Sequence, residues 1–470
     1  MNIFPDDRIF EIVAHVADRE KTEAYVIGGY VRDHIMGREH HDQDIDIVVL
    51  GDGPAMARAV AREISPEIRV TVFKTFGTAM FHYRNYDLEF VGARKESYSE
   101  DSRKPSVKPG TLEDDQNRRD FTINALAISL NKHNPGEVLD PFGGIDDISN
   151  GIIRTPLDPD TTFSDDPLRM MRAIRFAAQL GFKIADTTMD SISRNAERIN
   201  IVSAERITTE LNKIMATKTP SVGVLLLEET GLLGLILPEI SRLKGVEDKD
   251  GQGHKDNFHH TLKVLDNVAE KSQDLWLRWA ALLHDVAKPA TKRFVPGTGW
   301  TFHGHEFLGS KMIPEIFKRL KLPLNDRMKY VKKLVGLHLR PISLVQEEVT
   351  DSAIRRLLFE AGNDIDDLML LCEADITSGN RMKVKKHRNN FALLRCKLKE
   401  IEEKDAVRVF QPPVHGEEII ATFKIAPGPV VGKIKSAIKE AILDGVISND
   451  HEAAREFMIR KGIELGLTPE

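Results

Sequence analysis

Short apolar runs punctuated by glycine and aspartate dominate the start of the chain. AYVIGG, DIDIVVL, RVTVF, TAMFHYR and DLEFVGA are rich in valine, isoleucine and phenylalanine and predict strands. Helical patterns between them make residues 1–150 an α/β head. From Pro167 apolar positions recur every three or four residues, through PLRMMRAIRFAAQLGF, AERITTELNKIMAT and GVLLLEETGLLGLILPEI, with Gly181 and Gly231 as helix stops. KGVEDKDGQGHKDNF reads as an exposed linker. A His-rich helical region follows to about residue 350, then a third helical region. That last region holds the basic stretch RMKVKKHRNNFALLRCKLK and a Pro/Gly turn leading into an amphipathic helix at APGPVVGKIKSAIKEAILDG. Between Arg94 and Arg118, KESYSEDSRKPSVKPGTLEDDQN is polar and aperiodic, and its composition predicts a mobile loop.

A chain of 470 residues exceeds one ordinary core and implies two to four domains. No apolar run approaches the roughly 18 residues of a membrane span, and MNIFPDDRIFEIV has no secretory pattern, so a cytoplasmic protein without membrane partners is expected. Two cysteines, Cys372 and Cys396, argue against a disulfide framework or a cysteine-based zinc site. The net charge of −6 excludes a chain basic all over, yet leaves room for RNA contact through a local basic stripe.

Chemistry concentrates first where AYVIGG feeds Gly28-Gly29 and a helix opening YVRDHIMG. Two glycines let backbone approach a phosphate closely. A dozen residues on, Asp44 and Asp46 stand at i and i+2 of a strand and share a face. With a rise of about 3.3 Å per residue they can grip paired Mg²⁺ ions roughly 4 Å apart. GGYVRDHIMG…DQDIDIVV resembles the catalytic motif of the polymerase β superfamily, in particular the class II CCA-adding enzymes and bacterial poly(A) polymerases. The resemblance implies that Asp44 and Asp46 hold the metals, that Gly28, Gly29 and Arg32 handle the triphosphate, and that Asp33 shapes the loop. Glu89 is either a third carboxylate or an ion-pair partner.

RRDFTINA, residues 118–125, is dense in groups that bind phosphate and ribose, and matches the family's second motif. The resemblance carries phosphate or ribose contact onto Arg119, Asp120 and Asn124, while Asp140-Pro141-Phe142-Gly143-Gly144 resembles a structural turn between head and neck. SDDPLR opens a helix on which Asp166, Arg169 and Arg172 lie at i, i+3 and i+6. Cytosine and adenine each present an amino donor beside a ring-nitrogen acceptor, so a carboxylate and an arginine can select them together. Guanine and uracil reverse that order and would leave both groups unpaired. The resemblance makes this the base-reading motif, with Asp165 in place of the usual glutamate, and makes Glu205-Arg206 a brace for its helix. In the family the polar segment after Arg94 is a flexible loop needed for the final A, and its full length here implies complete CCA addition.

The His-rich region contains FHHTLKVLD, LLHDVAKPAT, FHGHEFLG and VGLHLRP, followed by CEAD. A His-Asp pair on an apolar helix needs a partner for its carboxylate. The order resembles the HD superfamily of metal-dependent phosphohydrolases and places metal ligands at His260, His284, Asp285 and Asp375. His305 and His338 are second-metal candidates, with His259 and His303 as weaker alternatives.

The expected fold class is therefore α+β: a polymerase β-like nucleotidyltransferase head at 1–150, then an all-α neck at 151–245, an HD-type body domain at 246–350 and a helical tail at 351–470 that binds tRNA. The expected function is template-independent addition of CCA to the 3′ end of tRNA from CTP and ATP, with Mg²⁺ as cofactor and a second divalent metal at the HD site, where phosphohydrolysis is a further activity. The alternatives are a poly(A) polymerase, disfavoured by the string RVTVFKTFGTA, and an HD phosphohydrolase with an inactive head, disfavoured by the Asp44/Asp46 pair.

Overall fold

The computed structural model describes residues 8–38, 44–73, 77–99, 102–246, 248–249, 252–253, 256–346, 350–377, 381–405 and 413–469. Residues 74–76 of the RVTVFKTFGTA string, and parts of the 244–258 linker, lie outside them. The chain forms two compact units, Met1–Ile236 and Leu237–Glu470.

All five predicted strands form: β1 (Ala24–Ile27), β2 (Asp44–Val49), β3 (Thr71–Phe73), β4 (Thr78–Tyr83) and β5 (Tyr86–Gly92). With the short strands Ala127–Ser129 and Val138–Leu139 they make one mixed seven-stranded sheet. β2 and β5 run parallel and the other neighbours antiparallel. One face is sealed by the helices Arg8–Arg19 and Gly53–Ile64, whose Phe10, Val13, Met56 and Val60 join Ile45, Ile47, Leu88 and Phe90 in the core. Burying those residues fixes the register of β2, and so turns Asp44 and Asp46 to the opposite face. The helix Gly53–Ile64 starts so close to β5 that a Cβ on Gly53 would lie 2.7 Å from Gly92 N and 2.8 Å from the Val91 carbonyl carbon.

The polar segment after Arg94 is not an irregular loop. Arg94–Ser99 (β6) and Ser102–Pro109 (β7) pair antiparallel, with a register shift between Ser97 and Ser99. Backbone pairing alone builds this ribbon, so it needs no apolar alternation and escapes a reading based on composition. Its base is closed at Gly110, where a Cβ would sit 2.7 Å from Lys95 N.

The rest of the first unit is mainly helical. α1 (Leu168–Leu180) ends at left-handed Gly181 and packs against α2 (Ala204–Met215) and the helix Pro220–Glu229. In the second unit, α3 (Asn257–Lys271), α4 (Leu275–Leu283), α5 (His305–Arg319), α6 (Asp326–Leu337) and α7 (Ile365–Ala374) pack together, and the basic stretch forms the helix Arg381–Asp405. Among the described residues no helix is long and apolar enough to cross a membrane.

Because Gly53 carries the contact that seats its helix on β5, Gly53→Ala is expected to cost about 1–3 kcal/mol by overpacking. Urea unfolding of the full chain measures this, and an unchanged midpoint would refute the close-packing account.

Candidate active site

β1 ends at Ile27 and the chain turns through Gly28, whose φ of 86° is open chiefly to glycine. A Cβ there would lie 3.0 Å from Arg119 Nη1 and 3.2 Å from Asp46 Oδ2, so backbone, arginine and carboxylate converge on one point. Asp46 lies between Ile27 of β1 and Glu89 of β5 in the sheet register. Burial, with the charges of Asp115 and Asp44, pushes the Asp46 carboxyl above its ordinary range, against the pull of Arg119 at 3.9 Å. Burial and the neighbouring Asp46 push Glu89 up as well. Crowded hard oxygen donors of this kind fit a divalent cation.

Two adjoining cavities meet at Asp46, Arg119, Asp120 and Arg172. The one of about 250 Å³ is lined by Gly28, Gly29, Arg32, Asp44, Asn124, Arg175, Phe176 and Lys213 as well. Arg32 is buried, grips Asp33 with Nε and Nη2 at 2.9 and 2.8 Å, and donates from Nη1 to Asn124 Oδ1 at 2.8 Å. Three guanidinium groups surround the Phe176 ring, with Arg175, Arg32 and Arg172 at 4.0, 5.1 and 5.5 Å from its centroid. Glu210 holds Arg175 at 2.7 Å. This end of the cleft presents forked cations suited to phosphate oxygens.

The second cavity, about 330 Å³, adds Thr78, Glu89, Arg94, Arg118, Asp166, Arg169 and Arg206. Asp166 Oδ1 accepts from Leu168 N at 3.2 Å and its Oδ2 pairs with Arg206 at 3.2 Å. Arg169 Nη2 donates to the Arg118 carbonyl at 2.5 Å. Both side chains keep further donor or acceptor positions for a base edge. Arg172 differs from the base-reading expectation, because Nε and Nη2 are engaged by Asp120 Oδ2 at 2.7 and 2.6 Å. Asp120 Oδ1 accepts from Asn124 Nδ2 and Phe121 N at 3.0 and 2.9 Å. Burial alone would raise this carboxyl, yet Arg172, Asn124 and Arg169 bring it down to about 2. Both Asp120 oxygens thus orient neighbouring side chains and backbone.

Sequence reasoning passed over Asp115, Arg175, Phe176 and Lys213. Asp115 precedes Arg118 and Arg119 by three and four residues, and that helical spacing was its available signal. Asp140 caps the helix Gly144–Asn150 through Gly144 N and Ile145 N, which suits a structural turn.

In the second unit two groups that could hold a metal ion share Asp285: His260, His284 and Asp285, and Asp285, His305 and His338. Asp285 Oδ2 lies 3.7 Å from His260 Nε2 and 3.2 Å from His284 Nε2, while Oδ1 lies 3.3 Å from His305 Nε2 and 3.8 Å from His338 Nε2. Asp375 joins the first group, 2.8 Å from His260 Nε2. The Nδ1 atoms of His284, His305 and His338 contact the carbonyls of Ala281, Phe302 and Val335, and His260 Nδ1 contacts Thr377 Oγ1. Those bonds turn every Nε2 inward, and His284 Nε2 is fully buried and faces Asp285, as a ligand position requires. Burial and His284 push His338 down to about 4, which leaves it neutral, and Asp375 is held at about 2, chiefly by His260 and His284 overcoming burial. Lys288 Nζ, 2.5 Å from Asp285 Oδ2, supplies positive charge there. His259 and His303 are exposed and stand outside both groups.

Asp120→Asn removes a carboxylate whose pKa is held down at about 2, so it is expected to destabilise the protein by about 2 kcal/mol at pH 7. A depressed carboxyl stabilises above its unfolded pKa and loses that contribution as pH falls through its folded value. The gap between wild type and variant in urea unfolding should therefore be full above about pH 4 and close toward pH 2; a gap independent of pH would contradict the assignment.

Comparison with known proteins matches residues 24–154 to the Poly A polymerase head domain, 181–244 to the probable RNA and SrmB-binding site of polymerase A, and 257–378 to the HD domain. The A-adding tRNA nucleotidyltransferase of Deinococcus radiodurans is 34% identical over 363 residues, which cover 75% of this chain and 80% of that protein. The multifunctional CCA protein of Nitrosococcus oceani is 34% identical over 369 residues, covering 75% and 84%. Among solved structures, the Bacillus stearothermophilus CCA-adding enzyme in complex with CTP has the same fold, with a TM-score of 0.66 at 24% identity over 98% of this chain and 99% of that one. By this kinship, and by its head, RNA-binding and HD regions, the chain belongs to the tRNA nucleotidyltransferase/poly(A) polymerase family.

Proposed function

We propose that this protein adds C, C and A to the 3′ end of tRNA from CTP and ATP, releasing pyrophosphate. The observation that carries the reading is one cleft in which Asp44 and Asp46, an arginine-lined pocket and the Asp166–Arg169 pair adjoin. Mg²⁺ held by Asp44 and Asp46 supplies, when bound, the charge that acidifies the attacking hydroxyl and steadies the triphosphate. Gly28 and Gly29 let the nucleotide approach the backbone. Arg32, Arg119, Arg172 and Arg175 donate to its phosphate oxygens, while Asn124 and Asp120 hold Arg32 and Arg172 in place. Asp166 accepts from the amino group of cytosine or adenine and Arg169 donates to the ring nitrogen. Residues 1–150 act as the catalytic head, 151–245 as the neck, 246–350 as the HD domain and 351–470 as body and tail, which grip tRNA in the cytoplasm through phosphates and shape.

The HD residues support a second activity, metal-dependent phosphohydrolysis, since four inward Nε2 atoms and two carboxylates make a ligand set and not a packing accident. A narrower first activity, addition of the terminal A alone, is favoured by the Deinococcus radiodurans relative.

Incubation with Mg²⁺ and tRNA ending either at the discriminator base or in CC separates these readings. Addition of CCA and then arrest is expected. Incorporation of ATP only on tRNA already ending in CC would establish the narrower activity, and long A tails would overturn both. Asp46→Ala is expected to abolish addition while leaving tRNA binding within about twofold; lost binding would make the pair structural. His284→Ala should lower the divalent metal retained per chain after desalting, measured by elemental analysis, with addition by the head retained. Unchanged metal content would remove the HD centre from the proposal.

A further inference from the structure

We propose that Asp115 is the positioning residue that couples reading of the base to placement of the triphosphate, an inference that rests on the nucleotidyl-transfer reading above. Asp115 has no exposed surface and lines neither cavity, lying beneath two arginines that do. Its carboxylate divides its two oxygens between neighbouring arginines. Oδ1 accepts from Arg118, with Nε at 2.8 Å and Nη2 at 2.5 Å. Oδ2 faces Arg119, with Nε and Nη2 both at 3.3 Å. The helix that carries it, Leu112–Asn117, is capped reciprocally by Thr111 and Asp114, so the carboxylate sits on a fixed turn.

The two arginines serve different parts of the cleft. Arg118 lines the base-side cavity alone, and its backbone carbonyl accepts from Arg169 Nη2 at 2.5 Å. Arg119 lines both cavities, and its Nη1 comes within 3.9 Å of Asp46 Oδ2 and beside Gly28. One buried charge therefore clamps the side chain of the residue whose main-chain carbonyl receives Arg169, and so steadies that turn, while it also sets where the arginine next to the metal-binding carboxylate points. An amide at this position can accept on one side only and turns its NH₂ against a guanidinium, so one arm must come loose. A base that seats badly against Arg169 then no longer displaces Arg119, and the wrong nucleotide reacts nearly as well as the right one.

The test uses the full-length protein with tRNA ending in CC, comparing single-turnover addition of ATP and GTP by wild type, Asp115→Asn, Asp115→Glu and Arg118→Ala. If wild type adds no AMP, the parent reading fails and not the coupling. With an active wild type, Asp115→Asn is expected to narrow the ATP-over-GTP preference about tenfold, the scale of a modest coupling energy, and Asp115→Glu should recover part of the preference. Arg118→Ala keeps the backbone carbonyl that receives Arg169 and removes only the side chain by which Asp115 steadies that turn; it should narrow the preference without raising the KM for ATP, and it carries the test if Asp115→Asn proves unfolded by circular dichroism. Equal losses for ATP and GTP, or an unchanged preference in the folded variants, would overturn the proposal and leave Asp115 as a support of the fold.

Discussion

Asp120 stands at the junction of sheet and helices, and its two oxygens look in opposite directions. One receives Asn124 and the Phe121 amide within its own turn; the other receives Arg172, from a helix 52 residues further along the chain. Asn124 in turn receives Arg32, from the helix Gly29–Ile35 that follows β1. Through this chain of bonds the helix Leu168–Leu180, which carries Arg169, is held at a set distance from Asp44 and Asp46. A half-exposed pair such as Arg194–Asp160 is screened and worth about 0–1 kcal/mol. Asp120 is almost wholly buried, so its partners cannot be replaced by water, and the width of the cleft rests on them.

The same logic governs the other arginines. A site that must receive a polyanion gathers cations, and cations gathered without a ligand repel each other. Here most have a carboxylate partner: Arg32 has Asp33, Arg172 has Asp120, Arg175 has Glu210, and Arg118 and Arg119 share Asp115, while Arg169 donates to the Arg118 carbonyl. The guanidinium groups are thereby held in place before the nucleotide arrives, and little ordering is left for binding to impose. Asp46 and Glu89 are the opposite case: burial with the charges of Asp115 and Asp44 raises Asp46, and burial with the charge of Asp46 raises Glu89, where a divalent ion would relieve the repulsion.

What could be read from the chain followed from locality. Strands β1 to β5 declared themselves because Val, Ile and Phe alternate with sharp Gly and Asp boundaries, and the Asp44/Asp46 spacing holds in any strand. The ribbon of β6 and β7 was misread as a loop, since paired backbone needs no apolar signature. Helical spacing and the family resemblance put Arg172 on the helix of the base-reading motif, but its partner Asp120 stands 52 residues away and no local pattern announces it. Arg175, Phe176 and Lys213 were invisible for the same reason, as they reach the pocket through the packing of α1 on α2. The histidines of the second unit could be picked out by resemblance, but not the sharing of one aspartate between two groups.

That sharing has a consequence for how the centre fills. The two oxygens of Asp285 serve the two ligand groups, and a carboxylate has a single charge to offer. An ion settling on either side draws electron density from the oxygen on which the other depends, and it also displaces or repels Lys288. Were ions held in both groups, occupancy of one would weaken the hold on the other. The protein would pass through a one-ion state over a broad span of metal concentration before reaching two, and its stoichiometry would record the metal supply under which it was made.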